Sequence, residues 1–122
     1  MPRCVILSLA ALLAAAGAQS ANAQAMTGAF MVQGCDDDAT KDSCMIYLRG
    51  LYEGFLAGQQ LYPYGAIACP QPNVSPYQLR LLALRAAREN PKMLNDVPSG
   101  IMSKAILDAF RCRPGQTPNY NQ

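Results

Sequence analysis

The sequence contains no histidine. That single absence removes the commonest general base and the commonest metal ligand together. Ser-His-Asp and Cys-His catalytic sites are excluded with it. No G-x-S-x-G, P-loop or G-x-G-x-x-G pattern occurs either, so the usual signatures of acyl transfer and of phosphate binding are missing. Nor is there an excess of one charge: ten Lys and Arg stand against eight Asp and Glu. This near balance leaves neither a nucleic-acid footprint nor a polyacidic tail. The carboxylates Glu53, Glu89, Asp96 and Asp108 fall one to an element, which does not suggest an acid–base pair. No C-x-x-C is present, which argues against zinc. No metal, cofactor or enzymatic activity is expected.

Long apolar runs are also scarce. The one that exists is Val5 to Ala18, about 14 residues, too short to span a bilayer comfortably. Arg3 precedes it and Ala21-Asn22-Ala23 follows as a small-x-small site. The pattern predicts a secretory signal peptide over 1–23, cleaved after Ala23, and a periplasmic or secreted product with no membrane association afterwards. Cys4 leaves with the leader. Four cysteines remain, Cys35, Cys44, Cys69 and Cys112. An even number in an exported chain predicts two disulfides.

What is present is helical. No segment alternates with a period of two, so no sheet is expected. Thr27 to Cys35 is at best a short leading helix. In Ser43 to Leu61, Cys44, Tyr47, Leu48, Leu51, Phe55 and Leu56 recur at three- and four-residue steps, the spacing of one helical face. The acidic run 36–38 ahead of it suits the positive end of a helix dipole. It lacks the glycine and the glutamate of a calcium loop, where Lys41 and Tyr47 stand instead. The loop 62–74 is punctuated by Pro63, Gly65, Pro70 and Pro72. A second helix starts sharply, with Ser75 as N-cap, Pro76 at N1 and Gln78 completing a capping box. Leu79, Leu82, Ala83 and Ala86 form its buried stripe, Arg80, Arg85, Arg88 and Glu89 its wet face, and Asn90-Pro91 its stop. After a short connector, a last helix runs from about Val97 to Arg111, with Met102, Ala105, Ile106, Ala109 and Phe110 inward. The fold class is therefore all-α: a small, disulfide-braced antiparallel bundle of three main helices plus a short leading one over 24–112. The tail 113–122 has nothing to bury and is expected to be disordered.

Helix length constrains the cysteine pairing. A helix over 43–61 is about 28 Å long. Cys44 at its start cannot reach Cys69 beyond its end within the Cα limit of about 7 Å. In an up-down-up bundle the second helix begins where the third ends, so Cys69 pairs with Cys112 and Cys35 with Cys44. Two further features have alternative readings. Gly50, Gly54 and Gly58 repeat every four residues inside a helix, where each costs about 1 kcal/mol relative to alanine. They form either an internal packing face or a homodimer seam. Tyr62, Tyr64 and Ile67 crowd one loop beside a disulfide. They form either a binding tip or a lid over the helix ends.

The runs FMVQGC, CMIYLRGLYEG, ACPQPNVSPYQL, RENPKML and AILDAFRC, in this order, resemble the Rap1a/Tai family of type VI secretion immunity proteins, over about 27–112. The resemblance implies an exported helical protein, often a homodimer, that binds a secreted peptidoglycan amidase effector and occludes its active cleft without catalysis of its own. The family's four cysteines map onto Cys35, Cys44, Cys69 and Cys112. Its contact residues do not map individually, because immunity surfaces diverge with their effectors. Loop 62–67 is the first candidate contact surface and the connector 91–97 the second. A different class, a periplasmic stress or chaperone-like helical binding protein, is the alternative.

Overall fold

The computed structural model describes residues 26–62 and 65–120. The leader, its cleavage site and Tyr64 lie outside the described residues. The rest is helical: α1 (Gly28–Asp36), α2 (Lys41–Gln60), α3 (Pro76–Glu89), a 3-10 turn (Pro91–Asn95) and α4 (Pro98–Phe110). Among the described residues there is no strand, only an isolated antiparallel bridge between Ala68 and Arg111.

Local chemistry sets most of the helix ends. The Ser75 hydroxyl accepts from the Gln78 amide at 3.1 Å and the Gln78 side chain accepts from the Ser75 amide at 2.8 Å, the reciprocal capping box that its spacing predicts. Asn90 closes α3 by donating both its backbone and side-chain N–H to Ala86 O. The end of α1 is satisfied from outside the helix. Thr40 Oγ1 donates to Gly34 O at 2.8 Å, and Arg80 Nε donates to Cys35 O at 2.6 Å. Arg80, expected on the wet face of α3, is therefore partly buried. A guanidinium at a helix C-terminus neutralises orphan carbonyls and the negative end of the dipole.

The core is one cluster in which Leu48, Leu79, Ala83, Ile101 and Ile106 are fully buried. Helices α2, α3 and α4 pack on one another, with α1 and the 3-10 turn against them. Five stripe assignments differ from the sequence reading. Tyr52, Leu84, Ala87 and Ile101 are buried, and Ala109 is exposed. On α4 the seam runs through Ile101, Met102, Ala105 and Ile106, so Ala109 falls on its outer edge.

Close approach explains one glycine. A Cβ on Gly28 would lie 2.5 Å from Ile101 Cδ1 and 2.8 Å from the Met93 carbonyl oxygen. Gly28 also donates to Asp96 O at 2.8 Å, docking α1 on the connector. Gly28→Ala should therefore lower stability by about 1–3 kcal/mol, read as a shift in the urea midpoint.

Both disulfides join the expected partners: Cys35–Cys44 with a Cα separation of 5.1 Å and Cys69–Cys112 with 4.8 Å. The reason for the second differs from the bundle argument. After α2 the chain doubles back along it. Val74 O accepts from Arg49 Nη1 at 3.3 Å, so α3 begins beside the middle of α2 rather than at its end. Cys69 meets Cys112 at the C-terminal end of α2, where α4 also finishes. The tail is described as far as Tyr120. Arg113 to Gln116 closes a turn, and Pro118 to Tyr120 line a cavity together with residues of α2 and the returning segment.

Candidate protein-interaction site

The exposed loop at the end of α2 is tied down on three sides. Gln59 is buried, at 8% exposure, and is the only buried polar side chain among the described residues. It lies on the inward face of α2, eleven residues after Leu48 and seven after Tyr52. Its Nε2 donates to Ala68 O at 2.8 Å, and its Oε1 accepts from Ala68 N at 3.1 Å and Ile67 N at 3.3 Å. The bridge to α4 uses the groups on either side: Cys69 N donates to Phe110 O and Cys112 N to Ile67 O, at 2.6 and 3.1 Å. The Cys69–Cys112 bond then locks the pair covalently. Segment 67–69 thus acts as a short central strand, with Gln59 supplying the second edge.

This anchor presents apolar side chains to solvent. Leu61 is 87% exposed, Tyr62 60% and Ile67 53%. Tyr62 and Ile67 flank the same loop, as the sequence suggests; Leu61, which the sequence marks only as the end of a helix, joins them. Neither Tyr62 nor Ile67 folds back as a lid. In the connector 91–97, Met93 and Leu94 pack on the core, while Val97 is 58% exposed.

Gly50, Gly54 and Gly58 lie on a different face of α2. A Cβ at any of the three would meet nothing within 4 Å, so no other described part of this chain packs on the strip. The internal-packing explanation is not what the described fold uses. Ile46 stands exposed near the same face. Gly54→Ala should therefore raise the stability of the monomer by about 1 kcal/mol through helix propensity and a restricted unfolded state, the opposite sign to Gly28→Ala in the same assay.

Electrostatics play a small part. The ion pairs Lys41–Asp38, Arg49–Glu53 and Lys104–Asp108 lie on helix surfaces and contribute little each. No cluster of ligating side chains suited to a metal ion exists among the described residues. One group is perturbed. Burial pushes the Tyr52 phenol above the ordinary tyrosine value of 10.0, and the positive charge of Arg49 only partly offsets it. Below that value the phenol is neutral in both states and its contribution is fully present. Above it the unfolded chain loses the proton first, so stability falls as pH rises through the folded value. Urea midpoints at about pH 8 and about pH 11 should therefore lie closer together in Tyr52→Phe than in the unsubstituted protein.

These features define a class: a small, disulfide-braced helical module that exposes apolar side chains beside a firmly tied segment, 67–69. The family follows from comparison of the whole chain. The model of the Rap1a immunity proteins matches residues 13–112, and the chain belongs to that family. The family's members are described as immunity proteins. No curated protein and no solved structure matches the chain. Among the described residues no helix is long and apolar enough to cross a membrane.

Proposed function

We propose that this protein is an exported, periplasmic immunity-type inhibitor that binds a peptidoglycan amidase effector and occludes its active cleft, with loop 62–67 as the contact surface. The observation that carries the reading is the combination of exposed Leu61, Tyr62 and Ile67 with the Gln59 clamp and the Cys69–Cys112 bond beneath them. A segment held as Ile67 to Cys69 are loses little conformational entropy on docking. Aromatic and aliphatic side chains at such a tip are the usual energetic anchors. Two disulfides fit the oxidising compartment to which the leader would send the chain. The open glycine strip on α2 is the proposed seam for a second copy.

The test is capture from periplasmic and secreted fractions with the oxidised protein, followed by a high-salt wash. One stoichiometric partner whose amidase activity is silenced on binding is the expected result. A stoichiometric partner without that activity would leave immunity standing and remove the amidase. A mixture of unrelated unfolded proteins, strongest at low pH, would point to the chaperone-like alternative. With the partner in hand, Tyr64→Ala and Ile67→Ala should each weaken binding by about tenfold or more while the melting temperature holds. An equal loss of thermal stability would show that the loop caps the core instead.

A further inference from the structure

The outer face of α3 serves neither the core nor the loop. Tyr77, Leu81, Arg85 and Arg88 stand there at i, i+4, i+8 and i+11. At 3.6 residues per turn these positions fall within about 80° of one another, in a single stripe about 16 Å long. Tyr77 is 57% exposed and Leu81 43%, and both arginines are exposed with them. Leu79, Ala83 and Ala86, on the opposite side of the helix, are buried in the core. Single exposed apolar residues are ordinary, but two on adjacent turns form a patch, bordered here by cations. The capping box at Ser75 and Gln78 fixes one end of the helix and Asn90 the other, so the stripe sits on a firm element.

The cations of the stripe are uncommitted. Arg49 donates to Glu53 and Val74 O, and Arg80 donates to Cys35 O. Arg85 and Arg88 make no hydrogen bond or ion pair among the described residues. Arg49–Glu53 and Lys104–Asp108 close across four residues, whereas Arg85 and Glu89, at the same spacing, do not. The helix dipole accounts for a cation at Arg88, in the last turn, but not for one at Arg85, further from the end. Lys92, exposed in the 3-10 turn that follows, is unpaired as well. Residues 85–92 thus set three cations against the one carboxylate of Glu89, a local excess in a chain otherwise near balance.

Charge complementarity names what would cover this face. Guanidinium groups keep their charge at every physiological pH, and their forked donors match carboxylates. The apolar half of the stripe lies toward the start of α3 and the basic half toward its end. A ligand must mirror that order. We propose that this stripe is a docking surface for an acidic segment of a protein partner that carries apolar side chains at one end. The apolar end covers Tyr77 and Leu81, and the carboxylates meet Arg85 and Arg88. The proposal rests neither on the amidase reading nor on loop 62–67.

The probe is the fluorescein-labelled synthetic peptide LLAAEEAAEE, titrated by anisotropy against the oxidised protein. Saturable binding below about 1 mM is the expected result. The glutamine peptide LLAAQQAAQQ should bind about tenfold more weakly. Arg85→Gln with Arg88→Gln should weaken the acidic peptide by a similar factor, whereas Arg85→Lys with Arg88→Lys should stay within about threefold of the parent. Tyr77→Ala should cost about fivefold. The urea midpoint should hold in both double arginine variants, which separates lost binding from lost folding. No saturable binding below about 1 mM, equal affinity for the two peptides, or an affinity that none of the α3 substitutions moves would each overturn the proposal. Retention on phosphatidylglycerol vesicles without binding of the peptide would overturn it in favour of a lipid surface.

Discussion

Replacing Cys69 and Cys112 together by alanine should lower the unfolding free energy by about 4 kcal/mol, against about 2.7 kcal/mol for the Cys35–Cys44 pair. The difference comes from loop length. The first bond closes a separation of 43 residues and the second only 9, and the entropy removed from the unfolded chain grows with the logarithm of the loop. For a domain of this size either loss is a large share of total stability. Burial sets a different order for chemical reduction. Cys35 is fully buried and Cys44 nearly so, whereas Cys112 is half-buried. A thiolate reagent must reach a sulfur in line with the bond, so Cys69–Cys112 should open first under mild dithiothreitol. Alkylation and mass spectrometry read the order directly, and urea melts of the two double-alanine variants read the energies. Early opening of Cys35–Cys44 would mean that α1 separates from the bundle more readily than its burial implies. Opening Cys69–Cys112 also releases the candidate contact loop at one of its three ties. Partner binding should therefore fall in that variant even where helicity persists.

Which parts of this architecture were legible in the sequence follows from how local their causes are. The capping box at Ser75 and Gln78, the proline at the first position of α4 and the stop at Asn90 depend on neighbouring residues alone, and the structure has each of them. Helix length excludes only the pairing of Cys44 with Cys69; the choice between the two pairings left rests on an up-down-up bundle, which names the observed partners although the second bond forms for another reason. The path of 70–74 was not. Two prolines permit an extended course without saying where it leads. Its direction is set by Arg49 and Gln59, which lie 25 and 9 residues from their partners. Arg80 shows the same limit. As an arginine on a polar helix face it looks solvated, and only the arrival of the α1 C-terminus gives it a carbonyl to bind. The glycine strip was visible as an anomaly of helix propensity, but a propensity cost does not say which surface it serves. At the candidate site Tyr62 and Ile67 were readable as aromatic and aliphatic residues on a proline-rich loop. Leu61 was not, because the last apolar residue of a helix usually turns inward.

The least conspicuous residue of the site carries the second large effect. Gln59→Leu keeps nearly the same volume and should cost about 3 kcal/mol. The substitution leaves the Ala68 N–H and C=O without their hydrogen bonds at a residue that is fully buried. Each orphaned backbone group costs about 1–3 kcal/mol, because the desolvation penalty persists when the bond is lost. The gain from a more apolar side chain offsets part of this. Gln59→Glu separates the two halves of the clamp. The carboxylate still accepts from Ala68 N and Ile67 N but cannot donate to Ala68 O, and its charge is buried unless it is protonated. That variant should be severely destabilised at neutral pH and regain stability as the solution is acidified through the raised pKa of the carboxyl, because the folded state then binds the extra proton. Melting temperatures of the two variants at about pH 4 and pH 7 distinguish the contributions. A Gln59→Leu variant as stable as the parent would mean that segment 67–69 is held by the bridge to α4 and the disulfide alone. If the clamp matters as the geometry implies, the loop in Gln59→Leu should show fast amide exchange at Ile67 and Ala68 while the α3–α4 core stays protected. Binding of any partner at Tyr62 and Ile67 should then weaken through lost preorganisation, although no contact residue has changed. A buried glutamine spaced on the apolar stripe of its helix thus sets both the stability of the loop and the sharpness of the surface it presents.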